Sequence, residues 1–298
     1  MPGTSVSEMA QQAQKRPSTS ERRVSGMPTR SGDLGRSSLI DAERSANRRW
    51  PLLASSAVGL LIGLLAGLVG LPVSPIVALA LFVIVGLVVS ILLRRIAPAA
   101  PARTIGAAPV AVGELPRIET LLDGLAATFG VAVPAVALLD DPVINACIVG
   151  RPGTTTVVVT RGLLEALSVV EIEGVLAQLL ALDRLDAVER GSMGAGLALL
   201  LGPLGRRPEL SKRLTGSGRL FRADELAALT VRYPVGLAAA LRAMEQGPLP
   251  GEGSLFASPI FNALRWLFID PSVGRRSRDE AMGDVDATSV RRAALEEW

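Results

Sequence analysis

Two long uncharged stretches dominate the hydropathy pattern of the chain. The first covers residues 52–71 and the second residues 74–93, with only Pro72 and Val73 between them. Because a helix rises about 1.5 Å per residue, about twenty apolar residues cross a hydrocarbon core of roughly 30 Å. The pattern therefore predicts a transmembrane hairpin over residues 50–95.

Basic residues flank both ends of this hairpin. Arg48 and Arg49 precede the first stretch, while Arg94 and Arg95 follow the second. Positively charged flanks are retained on the cytoplasmic side of a membrane. We therefore expect a multi-pass protein of the inner (cytoplasmic) membrane with both termini in the cytoplasm.

Small residues recur at every fourth position of the first stretch, at Ser55, Gly59, Gly63 and Gly67. Such a stripe allows the close approach of another helix. Two interpretations stay open: the stripe packs against the second span of the same chain, or it forms a homodimer through Gly59, Gly63 and Gly67.

Two segments around the hairpin carry little hydrophobic patterning. Residues 1–49 are rich in Ser, Arg, Gly and Pro and hold nine Lys/Arg against five Asp/Glu, which predicts a disordered basic tail. A solvated tail and a weak attraction to an anionic membrane surface are both open. Residues 96–113 are rich in Pro, Ala and Gly, which predicts a semi-extended linker.

Helical and strand periods alternate in the remaining domain, residues 114–298. An amphipathic pattern predicts a helix over 115–129 that stops at Gly130. Short apolar runs predict strands. These runs lie at 131–139, 144–149 and 154–160.

Helical patterns fill most of the second half of this domain. Ser168 and Glu171 form a capping box, which predicts a helix reaching about residue 190. The thirteen-residue apolar run 192–204 is too short to span a membrane and is expected in the core or resting on the bilayer. A further helix is predicted over 226–244, with a break near Pro234. The fold class is therefore α+β, with helices predominating.

Composition excludes several kinds of function. The 298 residues contain no histidine, 3% aromatic residues, and nearly balanced charge (31 basic, 28 acidic). A nucleic-acid interface is not expected, because no basic cluster is interleaved with aromatic residues. A single cysteine, Cys147, rules out an intramolecular disulfide and suits a reducing compartment. Without histidine, the chain lacks the commonest transition-metal ligand and the commonest general base near pH 7.

Two motif-rich segments carry a family resemblance. From Asn145 to Asp186 the chain reads NACIVGRPGTTTVVVTRGLLEALSVVEIEGVLAQLLALDRLD, and from Arg219 to Leu241 it reads RLFRADELAALTVRYPVGLAAAL. Together with the preceding hairpin, these segments resemble the membrane-anchored zinc metallopeptidases of the HtpX type, bacterial relatives of the CAAX prenyl proteases. The resemblance implies a helix-rich, zincin-like domain with a small sheet behind the two-helix hairpin.

The resemblance places the family's zinc-binding and catalytic positions at Gln178, Leu179, Leu182 and Leu220, with Asp224 as a retained aspartate. Active relatives hold zinc through two histidines and a glutamate, and a second glutamate polarises the bound water. At the corresponding positions this chain has three leucines and one glutamine. The expectation is therefore no metal, no cofactor and no catalytic residue. A substitute cation site formed by Asp183, Asp186 and Asp224 is the less favoured interpretation, and solvated pairs with Arg184 and Arg190 are the more favoured one. A second expectation is that Asp224 caps a helix starting at Glu225.

The resulting hypothesis is a catalytically inactive, membrane-anchored peptidase-like protein, an adaptor or regulator that binds peptides or membrane proteins. In the family that the chain resembles, the substrate binds as an added strand along an edge of the sheet. The resemblance therefore implies a peptide-binding groove at Asn145, Ala146, Cys147, Ile148 and Val149. One alternative is a membrane-associated metalloendopeptidase with a non-standard metal site. Another is a platform whose interactions come from the tail and the small-residue stripe.

Overall fold

The computed structural model describes residues 31–273 and 285–298. Its contacts divide the chain into two compact units, Met1–Asp41 and Ala42–Trp298. The described residues of the first unit, 31–41, are helical. Everything described below belongs to the second unit, except the first part of helix α1.

Helices make up most of the described chain. They are α1 (Ser31–Gly70), α2 (Pro75–Ile96), α3 (Ala100–Ile105), α4 (Pro116–Phe129), α5 (Arg161–Ala166), α6 (Val169–Arg184), α7 (Ala187–Leu200), α8 (Pro208–Thr215), α9 (Arg219–Val231), α10 (Pro234–Gln246), α11 (Phe261–Leu264) and α12 (Thr288–Glu296). Short 3₁₀ turns lie at Ala97–Ala99, Leu255–Ala257 and Arg265–Leu267.

A small mixed sheet completes the domain, so the fold is α+β, as the pattern predicts. The strands are β1 (Ala108–Pro109), β2 (Ala135–Leu139), β3 (Ala146–Arg151) and β4 (Thr154–Thr160), in the order β1-β2-β4-β3. Strand β2 runs parallel to β4, whereas β1 and β3 are antiparallel to their neighbours. The tight turn between β3 and β4 contains Gly153 at φ +79°, a left-handed conformation that glycine adopts without steric cost.

Helices α1 and α2 form the predicted hairpin. The candidate spans are Ile40–Gly70 and Pro75–Ile105, with mean hydropathies of 2.3 and 3.3. Only 22% and 11% of their most apolar windows are buried inside the protein, so these surfaces face outward rather than into a core. Ser74 ends the connection by accepting a hydrogen bond from the backbone N–H of Ile76. The two helices are thus long and apolar enough to cross a membrane.

The small-residue stripe of α1 faces α2. A Cβ atom on Gly63 would lie 2.5 Å from the carbonyl oxygen of Phe82, and one on Gly67 would lie 3.1 Å from that of Ala78. A Cβ atom on Gly59 would overlap Ser90. Of the two interpretations of the stripe, the structure thus displays packing against the chain's own second span. A dimer through the same glycines would have to displace α2.

The end of the predicted tail is ordered, which corrects the expectation of disorder up to residue 49. Helix α1 begins at Ser31, and Asn47 is only 3% exposed. Its side-chain amide donates to the carbonyl of Leu185 and accepts a hydrogen bond from Arg190. Local composition could not reveal this docking, because the partners lie about 140 residues away in sequence. The rest of the predicted tail, residues 1–30, lies outside the described residues.

Residues 96–113 also differ from the predicted extended linker. They form a 3₁₀ turn, helix α3 and strand β1, and Ala97 is fully buried. The backbone of this segment lies directly against α7, where a Cβ atom on Gly196 would overlap the Ala97 carbonyl. Proline fits the first turn of a helix, so Pro98 and Pro101 begin helical turns here rather than extending the chain.

The predicted helix from Ser168 to about residue 190 is two helices. Helix α6 ends at Arg184, and Asp186 adopts a left-handed conformation at φ 53° before α7 begins. The apolar run 192–204 lies mostly in α7, whose buried residues place it in the core. Its far end leaves Leu200, Leu201 and Leu204 exposed.

The last third of the chain closes the core beside the sheet. The predicted helix 226–244 is the pair α9 and α10, with the break before Pro234 that the sequence predicts. Three aromatic rings pack together with centroids 4.9 to 5.5 Å apart: Phe256 meets Phe261 and Phe268 edge-on, and Phe261 and Phe268 are tilted against each other.

Candidate functional site

Helix α6 carries the first set of positions identified by the resemblance. The predicted capping box forms at its start: Ser168 accepts from the N3 backbone N–H and the Glu171 carboxylate accepts from the Ser168 N–H. Helices α4, α9 and α10 and strand β3 all pack against α6. The residues Gln178, Leu179 and Leu182 are consequently 0% exposed.

The buried side chain of Gln178 is unusual, because neither its Oε1 nor its Nε2 has a hydrogen-bond partner among the described residues. An unpaired buried amide costs about 1–3 kcal/mol. Gln178 offers one weak oxygen ligand, and the hydrocarbon side chains of Leu182 and Leu220 offer none. The residues present at these positions do not fit a zinc ion.

Helix α9 carries the second set of positions. Leu220 is 1% exposed and Asp224 is 3% exposed. The Asp224 carboxylate accepts two hydrogen bonds from the Arg291 guanidinium on α12, at 2.5 Å from Nε and 2.9 Å from Nη2. Arg291 also donates to the carbonyl of Ile269. Both Asp224 oxygens are therefore engaged by a guanidinium.

Burial and charge act in opposite directions on this pair. Burial raises the pKa of Asp224, and the neighbouring Arg291 only partly offsets it. Burial lowers the pKa of Arg291, but the Asp224 carboxylate, together with the charges of Asp286 and Asp270, more than offsets this effect, so that the pKa is raised. The fork geometry of two parallel N–H···O bonds indicates an ionised pair. Asp224 thus locks α9 to α12.

Asp224 does not cap a helix, which corrects that expectation. It lies inside α9, and the carboxylate at the start of α9 belongs to Asp286. Asp286 accepts from the backbone N–H groups of Gly218, Leu220 and Phe221 at 2.5, 3.1 and 3.3 Å. No local sequence signal marks this cap, because Asp286 is more than sixty residues away from the helix it caps.

The aspartates considered for a substitute cation site do not come together. Asp186 accepts hydrogen bonds from Arg44 and Arg48, each at 2.9 Å, rather than pairing with Arg184 and Arg190. Across residues 31–273 and 285–298, no group of three or more His, Cys, Asp or Glu side chains could hold a metal ion. Burial, followed by the charge of Asp186, raises the pKa of Asp183 to about 6.

Strand β3 carries the predicted peptide groove. Asn145, which precedes the strand, and the strand residues Ala146, Cys147, Ile148 and Val149 are at most 1% exposed. The outer edge is occupied: Ile269 donates its N–H to the Ala146 carbonyl, and Phe268 forms a bridge with Cys147. An incoming peptide would have to displace this segment. Burial raises the pKa of the Cys147 thiol, so that it stays protonated and shielded from solvent-borne reagents while Phe268 covers it.

Asn145 fixes the start of β3. Its side-chain amide donates to the carbonyl of Asp270 and accepts from the backbone N–H groups of Asp270 and Ala146. The Asp270 carboxylate in turn accepts from Thr288 at the start of α12. This network joins the strand, the segment covering its edge and α12 into one buried unit.

The fold is that of an α+β protein with two helices long and apolar enough to cross a membrane. No family model matches the chain. A curated protein named Protease HtpX homolog from Dictyoglomus turgidum is 27% identical over 208 residues, which cover 55% of this chain and 68% of that protein. A namesake from Dictyoglomus thermophilum is 29% identical over 171 residues (46% and 56%). Another from Tropheryma whipplei is 30% identical over 181 residues (49% and 62%). The chain is thus similar to HtpX-type proteases, although it matches less than two thirds of the last two.

These comparisons correct the expectation that the protein is not an enzyme. The similar proteins are all named proteases, so similarity points to a protease. The expectation rested on the four mapped positions and on the absence of histidine from the sequence. The absence of metal-binding and catalytic groups at those four positions concerns one place in the fold and does not exclude catalytic groups elsewhere.

Proposed function

We propose that the protein is a membrane-anchored HtpX-like peptidase that hydrolyses peptide bonds of polypeptides at the cytoplasmic face of a membrane. The similarity to proteins named HtpX proteases carries the proposal. The outward-facing apolar surfaces of the hairpin support its membrane part.

The reaction class is peptide-bond hydrolysis and the substrate class is polypeptides, and none of the residues described above has a catalytic role. Gln178, Leu182 and Leu220 supply no metal-binding set, so no step is derived through zinc. The buried groups around them have a supporting role: the Asp224–Arg291 pair holds α9 to α12, and Asn145 holds the edge of the sheet.

Substrate would bind by adding a strand to β3. The edge that an extended peptide needs is the one that Phe268 and Ile269 cover. An edge strand offers backbone N–H and C=O groups to an incoming chain. Release of this covering segment would expose the backbone of Ala146 and Cys147 for that pairing.

A reversible disulfide that fixes the covering segment to β3 tests whether substrate binds at this edge. Cys147 and Phe268 are bridge partners, and such pairs lie within the Cα separation that a disulfide spans. Phe268→Cys is expected to cross-link to Cys147 on oxidation and to abolish cleavage, and reduction is expected to restore it. The reduced variant is the matched control for loss of the phenylalanine. Full activity of the oxidised variant would show that substrate does not enter at β3.

The orientation of the hairpin in the membrane, with both termini in the cytoplasm, follows from the charge pattern and can be tested separately. Val73, between the spans, is 76% exposed, and Trp298 at the far terminus is 58% exposed. A membrane-impermeant thiol reagent applied to intact cells is expected to label Val73→Cys and not Trp298→Cys. Buried Cys147 is the internal background control. Labelling of Trp298→Cys from outside would reverse the proposed orientation.

A further inference from the structure

A basic cavity lies where the apolar part of α2 ends. It has a volume of about 240 Å³ and is lined by Ile91, Arg94, Arg95, Arg151 and Glu189. Three segments contribute to it: the end of α2, the end of β3 and the start of α7. With three guanidinium groups and one carboxylate, the lining carries a net charge of +2.

Arg151 gives the cavity a fixed wall. Its Nη2 donates to the main-chain carbonyls of Arg94 and Arg95, the latter at 2.7 Å. A cation at the C-terminal end of a helix is stabilised by the helix dipole. These bonds hold the β3–β4 turn against the end of α2.

The side chains of Arg94 and Arg95 are available to bind a ligand. Both are exposed, and within the described ranges neither guanidinium has a hydrogen bond or an ion pair. Guanidinium groups bind phosphate through paired, charge-assisted hydrogen bonds. The cavity therefore holds two free donor groups suited to a phosphate oxyanion.

The position of the cavity places it at the level of lipid headgroups. Ile91, in the apolar part of α2, is 48% exposed one turn before Arg95. Trp50 packs against the same small cluster as Leu93, and Arg190 lies 5.6 Å from its ring. Tryptophan and arginine next to apolar spans mark a membrane–water interface.

We propose that this cavity binds the phosphate of an anionic phospholipid headgroup, with Arg94 and Arg95 as its ligands and Arg151 as the wall behind them. A water molecule takes about 30 Å³ in the liquid, so the cavity has room for a phosphate together with part of its glycerol. Basic pockets beside membrane helices on the cytoplasmic side suit anionic headgroups. Glu189 opposes the anion and limits its affinity.

Native mass spectrometry of the full-length, detergent-solubilised protein tests the proposal. Phosphatidylglycerol, phosphatidylcholine and inorganic phosphate are titrated separately. The wild type is expected to retain one phosphatidylglycerol in preference to the other two ligands. The double variant Arg94→Gln/Arg95→Gln is expected to weaken that binding about tenfold or more, because it removes both charged hydrogen-bond donors to the phosphate. Glu189→Gln is expected to strengthen it.

The matched control removes an equal charge outside the cavity. Arg206→Gln/Arg207→Gln alters another adjacent arginine pair and is expected to leave lipid binding unchanged. An equal loss in both double variants would mean that overall charge, and not this cavity, binds the lipid. Equal binding of phosphatidylcholine would overturn the selectivity for anionic lipid. Displacement of the lipid by inorganic phosphate at similar concentration would overturn the lipid assignment. Thermal unfolding of each variant shows whether the fold is retained.

Discussion

A buried ion pair, Asp224–Arg291, lies in the interior beside α6. Asp224 and Arg291 have side-chain exposures of only 4% and 0%. Removing two charges from water is costly, and their mutual attraction and hydrogen bonds offset that cost only while both are present. The pair therefore fixes the packing of α12 on α9 more than it adds net stability.

Removing one partner is expected to destabilise the protein strongly. Asp224→Ala leaves Arg291 buried and unpaired, so we expect a loss of about 3–5 kcal/mol in the free energy of unfolding. Arg291→Met alone is expected to behave similarly, whereas the double variant Asp224→Leu/Arg291→Met should recover most of the loss. Denaturant unfolding in detergent measures all three.

The surface pair Arg242–Glu296 is the matched control for this cycle. Its arginine side chain is 56% exposed, so Arg242→Ala should change stability little. A double variant at the buried pair whose loss equals the sum of the two single losses would contradict the coupling.

Asp183 makes stability depend on pH. Burial and Asp186 raise its pKa from 3.8 to about 6 in the folded protein, so the native state binds more protons than the unfolded state between these values. The free energy of unfolding should therefore fall as pH rises from 3.8 to about 6. Asp183→Asn should remove this contribution and raise stability above pH 6.

Thermal unfolding across that pH range, in detergent, measures the effect. Asp123→Asn on α4 provides the matched control, because it makes the same substitution at an exposed position. An Asp183→Asn profile that still falls as steeply as the wild type would refute the role of Asp183.

At the scale of elements, the contact between α1 and α2 depends on glycine. In lipid, helices associate through close packing of small residues rather than through the hydrophobic effect. Gly63 lies where a Cβ atom would be 2.5 Å from the Phe82 carbonyl oxygen and 3.0 Å from the Gly86 Cα atom. Gly63→Ala should force the two helices apart and cost about 1–3 kcal/mol.

Gly124 on α4 is the control for the same substitution. A Cβ atom there meets nothing within 4 Å, so Gly124→Ala should stabilise the protein by about 1 kcal/mol through helix propensity. Unfolding in mixed detergent micelles separates the two outcomes. A neutral or stabilising Gly63→Ala would show that the helices do not pack through this stripe.

Local patterns predicted elements whose signals lie within a few residues. The hairpin follows from uninterrupted apolar stretches, α6 from its capping box, and the β3–β4 pair from two apolar runs around a glycine-proline turn. The break at Asp186 and the order of residues 96–113 were not predicted. Both depend on partners distant in sequence: Arg44 and Arg48 hold Asp186, and α7 buries Ala97.

At the candidate site, too, features with a local sequence signal were predicted and features that depend on distant residues were not. Sequence identified Gln178, Leu182 and Asp224 by motif position, and the structure places them on packed helices. The engagement of Asp224 by Arg291, 67 residues away, had no local signal. Nor did the covering of β3 by Phe268, since edge occupancy depends on tertiary packing.

At the scale of the whole molecule, an apolar hairpin and an α+β domain are joined by extensive contacts. Trp50, Ala54 and Leu93 of the hairpin pack against Met193 and Leu197 of α7. These contacts hold the domain close to the ends of helices α1 and α2, so the two parts are not joined by a flexible linker alone. A peptidase so placed would act on polypeptides near the membrane surface.

The measurement that tests this account most directly is cleavage of an unfolded polypeptide by the purified full-length protein in lipid nanodiscs. Mass spectrometry of newly formed peptide N-termini detects hydrolysis. A mock preparation controls for contaminating proteases, and the Dictyoglomus turgidum relative serves as a comparison. The account predicts new N-termini above the mock level. Their absence, under conditions in which the relative cleaves the same polypeptide, would contradict the proposed peptidase function.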